Sequence, residues 1–262
     1  MNYSTLKLEQ HQHVVHVQLN RPDVMNSLNQ ELADDFYHCF NELNKNREVH
    51  VIVLSGAGRA FCAGGDVSFL KIISGQTHTE TRNLLGDLFN KFTIVARVEK
   101  PVIGALHGFV LGAGFSLALV CDLRIAAEGT KFGAEFPMMG LIPELGCNYT
   151  LPSLVGLGKA MELAFTARRF DADEAERMGV VNKVIPDDKL IDDVMALAHN
   201  IAGLPPLAMG LTKVALRKGA ASNLEESIKL EANINALCYH TYDHKEATSA
   251  FLEKRKPIFK GR

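Results

Sequence analysis

The sequence predicts an α/β core followed by a helical C-terminal region. In the first half, short apolar stretches alternate with amphipathic helical patterns, and residues 51–54 and 101–106 are apolar almost throughout. Continuous apolar strands are typical of a parallel sheet that is covered on both faces. After residue 151 the pattern becomes mostly helical, with long helices from residue 190 onward, and such a shift indicates a helical C-terminal region after the mixed core.

Each predicted element depends on a local signal. Val15, Val17 and Leu19 alternate with polar residues and predict a strand over 14–19, which follows a first strand over 6–9. Asn29 is a suitable N-cap for a helix that reaches about residue 43. Further helices are predicted over 80–97, 114–120, 171–178, 190–202, 206–218, 224–237 and 244–256, and further strands over 122–126 and 181–184, with a loop-rich stretch over 132–146.

Composition excludes several classes of function. The 262 residues are 47% hydrophobic and 22% charged with a net charge of −2, whereas broad binding to nucleic acid or anionic membranes needs a basic excess. The five cysteines have no zinc-ligand spacing, and their odd number suits a reducing compartment. No apolar run reaches the length of a membrane span, and the first residues lack the pattern of a secretory signal. We therefore expect a cytoplasmic protein without a metal.

Two glycine-rich turns, over 60–66 and 108–114, are the most informative segments. Each follows a short apolar strand, and the second opens an apolar helix. Backbone N–H groups that converge on one point stabilise a developing negative oxygen, and a helix N-terminus adds its positive dipole end. The alternative is that the glycines serve only tight turns and close packing. Two such turns after neighbouring strands favour an oxyanion site.

At this point a family resemblance is specific. The chain resembles the enoyl-CoA hydratase/isomerase (crotonase) superfamily over essentially its whole length. The segments that carry the resemblance are Leu19-Asn20-Arg21-Pro22, Asn26-Ser27-Leu28, 60–66, His107-Gly108, Gly112-Ala113-Gly114, Cys121-Asp122, Phe132-Gly133, Gly140-Leu141-Ile142-Pro143 and 250–255. The resemblance implies a ββα spiral core over residues 1–200, which holds the CoA-binding and oxyanion site. It also implies a helical trimerisation region over 201–262, and a homo-oligomer that is a trimer or a dimer of trimers.

The same resemblance implies roles for individual residues. The N–H groups of Gly65 and Ala113 are expected to be the two oxyanion donors, and an acyl-CoA thioester is the expected substrate, with no separate cofactor. Asp66 is also a suitable helix cap. Residues expected to contact CoA are Asp23, Val24, Met25, Ser27, Ala63, Gly65, Asp66 and Val67, together with Phe251 and Lys254, which usually reach the nucleotide from a neighbouring subunit.

The acid and base positions depart from the hydratase pattern. Family hydratases deliver and activate water with two glutamates, and the matching positions here hold Ser116 and Phe136. A hydroxyl and a phenyl ring cannot replace two carboxylates in this role. Glu135 is one residue away and could act as a hydratase acid only if the loop shifts. In family double-bond isomerases, an acid at the position of Glu144 moves a proton between C2 and C4.

The leading hypothesis is therefore an enoyl-CoA isomerase with Glu144 as proton shuttle. Desolvation among neighbouring apolar residues would raise the pKa of Glu144 toward neutrality; those neighbours are Phe136, Met138, Met139, Leu141 and Ile142. Glu144 could instead cap a helix that starts near residue 149 or be a solvated loop acid. Open alternatives are an enoyl-CoA hydratase, thioester hydrolysis or decarboxylation, and a non-catalytic CoA-binding or assembly protein.

Overall fold

The computed structural model describes residues 3–262 and shows a mixed α/β fold. The strands of this part of the chain are β1 (Leu6–His11), β2 (Val14–Leu19), β3 (Val51–Gly56), β4 (Ala60–Cys62), β5 (Val102–Leu106), β6 (Phe109–Leu111), β7 (Leu123–Ala127), β8 (Lys131–Gly133), β9 (Arg169–Asp171) and β10 (Lys183–Ile185). The α-helices are α1 (Gln30–Lys45), α2 (Val67–Ile73), α3 (His78–Phe92), α4 (Ala113–Val120), α5 (Cys147–Val155), α6 (Leu157–Thr166), α7 (Ala172–Arg177), α8 (Leu190–Ala202), α9 (Pro206–Ala220), α10 (Leu224–Tyr239) and α11 (Tyr242–Glu253).

The strands form two sheets. The larger sheet has the order β1-β2-β3-β5-β7-β10, and only β1 runs antiparallel to its neighbour. Every residue of β3 and β5 is buried, which confirms the prediction of covered parallel strands. The smaller sheet has the order β4-β6-β8-β9, with three residues in each strand. Strands this short show no periodicity in a sequence, and for this reason the second sheet is not predicted.

Helix α1 shows why the predicted helices form. The Asn29 side chain accepts a hydrogen bond from the Leu32 N–H at 3.0 Å and caps the helix as expected. The helix buries one stripe of apolar residues, and the Phe36 ring lies 5.5 Å from that of Phe92 on α3. Burial of this stripe, rather than helix propensity, holds the helix in place.

Several predicted boundaries were wrong by a few residues. The helix predicted over 80–97 begins earlier, because Thr77 and Glu80 form a reciprocal capping box, and it gives way to a 3₁₀ turn over Thr93–Ala96. The last helix ends at Glu253 instead of 256, because Lys254 adopts a left-handed conformation with φ of 55°. The range of helix α2 is not predicted, although Asp66 is expected to cap a helix and does cap α2.

The C-terminal helices differ in how they meet the core. Lys213 of α9 is buried, and its Nζ lies 2.8 Å from the carbonyl oxygen of Val95 and 2.7 Å from Asp122 Oδ2. By contrast, no residue of α10 is buried. Among the described residues no single helix is long and apolar enough to cross a membrane. The segments Asp187–Ala202 and Pro206–Ala220 together have sufficient length and apolar content, but they are bent by 103° relative to each other.

Candidate active site

The two glycine turns lie side by side because their strands are paired. β4 and β6 run parallel, so the turns that follow them leave the same edge of the smaller sheet. A Cβ on Gly112 would lie 3.8 Å from Gly64 Cα, which shows how closely the turns approach. Gly64 has a φ of +112° and Gly112 a φ of +51°, conformations that favour glycine. The predicted convergence of the two turns is therefore present.

The N–H groups of Gly65 and Ala113 are available to a ligand. Neither group has a hydrogen-bond acceptor within residues 3–262, and both residues line the same cavity. The Ala113 N–H is the first of helix α4, where the N–H groups have no intrahelical partner. Two unpaired donors at one cavity wall can bind and polarise a carbonyl oxygen.

An ion pair between Arg21 and Asp66 stabilises the first glycine turn. Arg21 donates from Nη2 to Asp66 Oδ2 at 2.9 Å, and it also donates to the carbonyl oxygen of Ser27. Asp66 caps α2 by accepting from the N–H groups of Ser68 and Phe69. Burial alone would raise the pKa of Asp66, but the hydrogen bonds from Arg21 and the helix lower it below its ordinary value. The residue next to Gly65 is thereby fixed in place.

The cavity between the turns and the following loop has a volume of about 230 Å³. Most of its wall is apolar or glycine; the lining residues are Ala63, Gly64, Gly65, Val67, Leu70, Leu111, Gly112, Ala113, Glu135, Phe136, Met138, Met139, Leu141 and Glu144. A narrow apolar extension of about 20 Å³ shares Gly65, Leu70, Ala113 and Glu144 with it and reaches Leu85 and Leu88 of α3. Such a space suits a hydrocarbon chain with one polar end.

Glu144 is a carboxylic acid in this largely apolar wall. Burial raises the pKa of Glu144 from 4.5 to about 7. The helix after it starts at Cys147 rather than near residue 149, and its N-cap is Gly146. The side chain of Glu144 does not cap that helix; its carbonyl oxygen accepts from the Cys147 N–H at 2.9 Å. A carboxyl group with a pKa near neutrality can both take and return a proton.

The predicted apolar surroundings of Glu144 are largely present. Phe136, Met138, Met139 and Leu141 line the cavity with Glu144, but Ile142 is 76% exposed and does not line it. The loop turns at Gly140, which has a φ of +68°, and this turn sends Ile142 toward solvent.

Neither residue at the family's glutamate positions brings a carboxylate to the cavity. Phe136 lines the wall with its ring, whereas Ser116 is fully buried and does not line it. Ser116 Oγ has no hydrogen-bond partner within residues 3–262. Burial raises the pKa of the Cys147 thiol to about 11, and the nearby Ser116 hydroxyl lowers this pKa to a smaller extent, although the two groups do not have the geometry of a normal hydrogen bond.

The structure brings some of the expected CoA residues to the cavity and not others. Ala63, Gly65 and Val67 line it, whereas Ser27 and Asp66 point into the network around Arg21. The remaining ones do not line the cavity of this single chain: Asp23 and Val24 are exposed and Met25 half-buried in the turn after β2, and Phe251 and Lys254 are exposed at the end of α11.

Two nearby side chains, those of His107 and Cys62, have structural roles. His107 Nε2 lies 3.0 Å from the carbonyl oxygen of Gly58. Cys62 is fully buried, and burial raises the pKa of its thiol to about 12, so it is not a nucleophile at neutral pH.

Two site features are not predicted from the sequence: the position of Leu70, and the pairing of Glu135, which the sequence indicates only as a hydratase acid if the loop shifts. Leu70 of α2 lies over Gly65, with its Cδ atoms 3.6 Å from where a Cβ of that glycine would be. Glu135 lines the cavity and pairs with Arg169 of β9. The apolar helical spacing after Asp66 is the signal that would reveal Leu70. No sequence signal links Glu135 to Arg169, because the strand that carries Arg169 has three residues.

Comparisons with known proteins agree with this geometry. The family model described as "Enoyl-CoA hydratase/isomerase" matches residues 9–262. The chain is 37% identical over 261 residues to a crotonyl-CoA hydratase of Syntrophomonas wolfei, with 99% of each chain covered. It is 35% identical over 256 residues to a peroxisomal Δ(3,5)-Δ(2,4)-dienoyl-CoA isomerase of Arabidopsis thaliana, with 94% of this chain and 92% of the relative covered.

Solved structures show the same likeness in three dimensions. The crystal structure of an enoyl-CoA hydratase from Bacillus anthracis superimposes with a TM-score of 0.93 at 33% identity, and 99% of this chain and 100% of that chain are covered. Sequence, fold and the paired glycine turns lead to one assignment. This chain belongs to the enoyl-CoA hydratase/isomerase family.

Proposed function

We propose that this protein moves the double bond of an enoyl-CoA thioester, with Glu144 as the single proton carrier. The observation that carries this proposal is that Glu144 has a pKa of about 7 in an apolar wall beside two free N–H donors, while Ser116 and Phe136 offer no carboxylate. Isomerisation needs one group that removes and returns a proton, and it needs no bound water. The reaction uses no cofactor beyond the CoA thioester itself.

The mechanism follows from the placement of these groups. The thioester oxygen lies between the N–H groups of Gly65 and Ala113, and the ionised Glu144 takes a proton from the carbon at C4 or C2. The electrons move toward the thioester and form a dienolate, whose negative oxygen the two donors stabilise. Glu144 then returns the proton to the other carbon. Substrate and product are isomers, and the carboxylate is regenerated.

Hydration of a 2-enoyl-CoA is the second candidate, and the comparisons favour it over isomerisation. Hydratase names are more frequent than isomerase names among the relatives of similar identity. The cavity also holds a second carboxylate, Glu135, beside Glu144. In this reaction Glu135 would orient the attacking water and Glu144 would deliver the proton to C2. The names weigh toward this reaction, whereas the side chains at positions 116 and 136 weigh toward isomerisation.

A panel of CoA thioesters separates the two reactions. The protein is incubated with 2-enoyl-, 3-enoyl- and 3-hydroxyacyl-CoA of equal chain length, and the products are identified by chromatography and mass spectrometry. Isomerisation interconverts the two enoyl isomers without a change in mass. Hydration adds one water to the 2-enoyl thioester and would overturn the main proposal if it were the dominant reaction. Turnover of any member excludes the non-catalytic alternative.

We further propose that the C-terminal helices assemble copies of this chain into a homo-oligomer. Helix α10 has no buried residue, yet Leu224, Ile228 and Leu237 are 77%, 54% and 61% exposed on it. Exposed apolar side chains of this number commonly mark protein interfaces. Light scattering after gel filtration should give a mass that is a multiple of three chains, and a monomer at micromolar concentration would contradict the proposal.

A further inference from the structure

Glu135 is a charged group in the cavity that isomerisation does not use. It and Glu144 are the two charged residues among those that line the cavity, and the rest of the lining is glycine, alanine and larger apolar residues. A carboxylate is costly to place in an apolar wall unless it is paired. Its presence therefore requires a partner.

Arg169 and Gly133 orient Glu135, and Phe109 in turn contacts Arg169. Arg169 donates from Nε to Oε1 and from Nη2 to Oε2 at 3.3 Å, which is a two-point pairing. The Arg169 guanidinium carbon lies 5.7 Å above the ring of Phe109 on β6. A Cβ on Gly133 would lie 3.1 Å from Glu135 Cγ, so the side chain lies against the space that this glycine leaves open. The carboxylate is preorganised before any ligand arrives.

The pairing determines which ligand the carboxylate can recognise. Each carboxylate oxygen accepts one hydrogen bond from Arg169 and has a further lone pair available. Because the Arg169 guanidinium already balances the negative charge of Glu135, the carboxylate attracts a cationic ligand only weakly. An anionic ligand has no hydrogen to donate to the carboxylate oxygens. The group that fits is a neutral hydrogen-bond donor, and in an acyl chain that donor is a hydroxyl.

We propose that Glu135 accepts a hydrogen bond from a hydroxyl group on the acyl chain, so that the site prefers hydroxylated acyl-CoA thioesters over hydrocarbon ones of the same length. Glu135 is thus a specificity-determining residue, and Arg169 is the residue that positions it. The proposal rests on the proposed function only in requiring that the acyl chain occupies this cavity.

Binding of unreactive ligands tests the proposal without any turnover. Saturated acyl-CoA thioesters of one chain length, with a hydroxyl at each position from C4 outward or with none, are titrated by calorimetry. A hydrogen bond to a charged group changes affinity by about 10- to 100-fold. We expect that factor for at least one hydroxyl position relative to the plain chain, and we expect Glu135→Met to abolish it. Free CoA should bind both proteins equally.

Two further variants complete the design. Glu135→Gln keeps the shape and a weaker acceptor, and should retain part of the preference even if Glu135→Met fails to fold. Glu128→Met, at an exposed glutamate distant from the cavity lining, should keep the full preference. The proposal is overturned if no hydroxylated chain binds more than about twofold better than the plain chain. It is also overturned if Glu135→Met or Glu135→Gln keeps the full preference. If Glu135→Met weakens the binding of free CoA as much as that of the hydroxylated thioester, the donor lies on CoA and the proposal is likewise overturned.

These outcomes are independent of the reaction itself. A hydroxyl preference can hold whether the enzyme isomerises or hydrates its substrate, because saturated chains without a hydroxyl at C3 undergo neither reaction. Conversely, absence of isomerase activity in the substrate panel leaves the binding comparison valid.

Discussion

A Cβ atom on Gly114 would lie 2.2 Å from the carbonyl oxygen of Cys62, so helix α4 and the first glycine turn are in direct backbone contact. This contact helps to set the distance between the Gly65 and Ala113 N–H groups, because Ala113 precedes Gly114 and Gly65 lies three residues after Cys62. Gly114→Ala should lower the free energy of unfolding by more than about 3 kcal/mol or prevent folding, since backbone must shift to admit the methyl group.

Gly86 provides the matched control for that substitution. It lies on the exposed side of α3, and a Cβ there would meet nothing within 4 Å. Gly86→Ala should raise the free energy of unfolding by about 0.5–1 kcal/mol, because alanine favours the helix. Chemical denaturation of both variants measures the difference, and a Gly114→Ala protein as stable as Gly86→Ala would show that the close contact is absent.

The raised pKa of Glu144 predicts how stability depends on pH. The folded protein holds the Glu144 proton up to a pKa of about 7, whereas the unfolded chain releases it near 4.5. The contribution of Glu144 to the free energy of unfolding is therefore greatest below pH 4.5 and is lost as the pH rises from 4.5 to 7. Above pH 7 this contribution no longer changes. Glu144→Gln removes this pH-dependent loss of stability, because an amide does not ionise. Its free energy of unfolding relative to the wild type should rise by up to about 3 kcal/mol between pH 5 and pH 8.

The same ionisation should appear in the pH–rate profile. Because the ionised Glu144 takes the proton, kcat/KM should rise with pH through about 7 and then level off. Rates at saturating and low substrate between pH 5 and pH 9 measure this. A profile that is flat from pH 5 upward would mean that Glu144 is already ionised and not desolvated.

The cap formed by Asp66 should matter for activity as well as stability. Asp66→Ala removes a helix cap and leaves Arg21 without its carboxylate partner, so unfolding should become about 2 kcal/mol easier. We also expect kcat/KM to fall at least tenfold, because Gly65 precedes the lost cap. Asn223→Ala, which removes the cap of α10, should cost about 1 kcal/mol and leave kcat/KM unchanged. Equal kcat/KM in both variants would contradict the proposal that the Asp66 cap positions the Gly65 N–H group.

Ser116 is expected to be dispensable despite its position. Its Oγ is buried without a hydrogen bond, so Ser116→Ala should leave stability unchanged or raise it by about 1 kcal/mol, with full activity. Thr130 is the comparison, since its buried hydroxyl donates to the carbonyl oxygens of Leu106 and Ala127. Thr130→Val should cost about 1–2 kcal/mol. A large loss of activity in Ser116→Ala would show that this hydroxyl takes part in the reaction.

The sequence predicted the parts of this molecule whose signals are local. The strand over 51–54, the Asn29 cap and the two glycine turns each depend on neighbouring residues, and the structure contains all of them. The family resemblance assigned Gly65, Ala113 and Glu144 to the site, and the structure brings these three residues to one cavity.

The remaining features depend on residues that are distant in sequence. Glu135 and Arg169 are 34 positions apart, and Arg21 and Asp66 are 45 apart, so only the folded chain pairs them. The burial of Lys213 likewise could not be predicted, because it depends on residues more than 90 positions away in the sequence. These partners are Val95, Lys100 and Asp122. Ser116 occupies a family glutamate position but does not line the cavity, because helix α4 is buried along its whole length.

Proton exchange in heavy water tests the role of Glu144 most directly. A 3-enoyl-CoA is incubated with the wild type, Glu144→Gln and the exposed-site control Glu128→Gln, and deuterium at C2 and C4 is followed by mass spectrometry and NMR. We predict that the wild type and Glu128→Gln interconvert the enoyl isomers with deuterium uptake. Glu144→Gln should bind the thioester normally but react about 10²–10⁴-fold more slowly. Retention of more than a few per cent of exchange and isomerisation by Glu144→Gln would contradict the account.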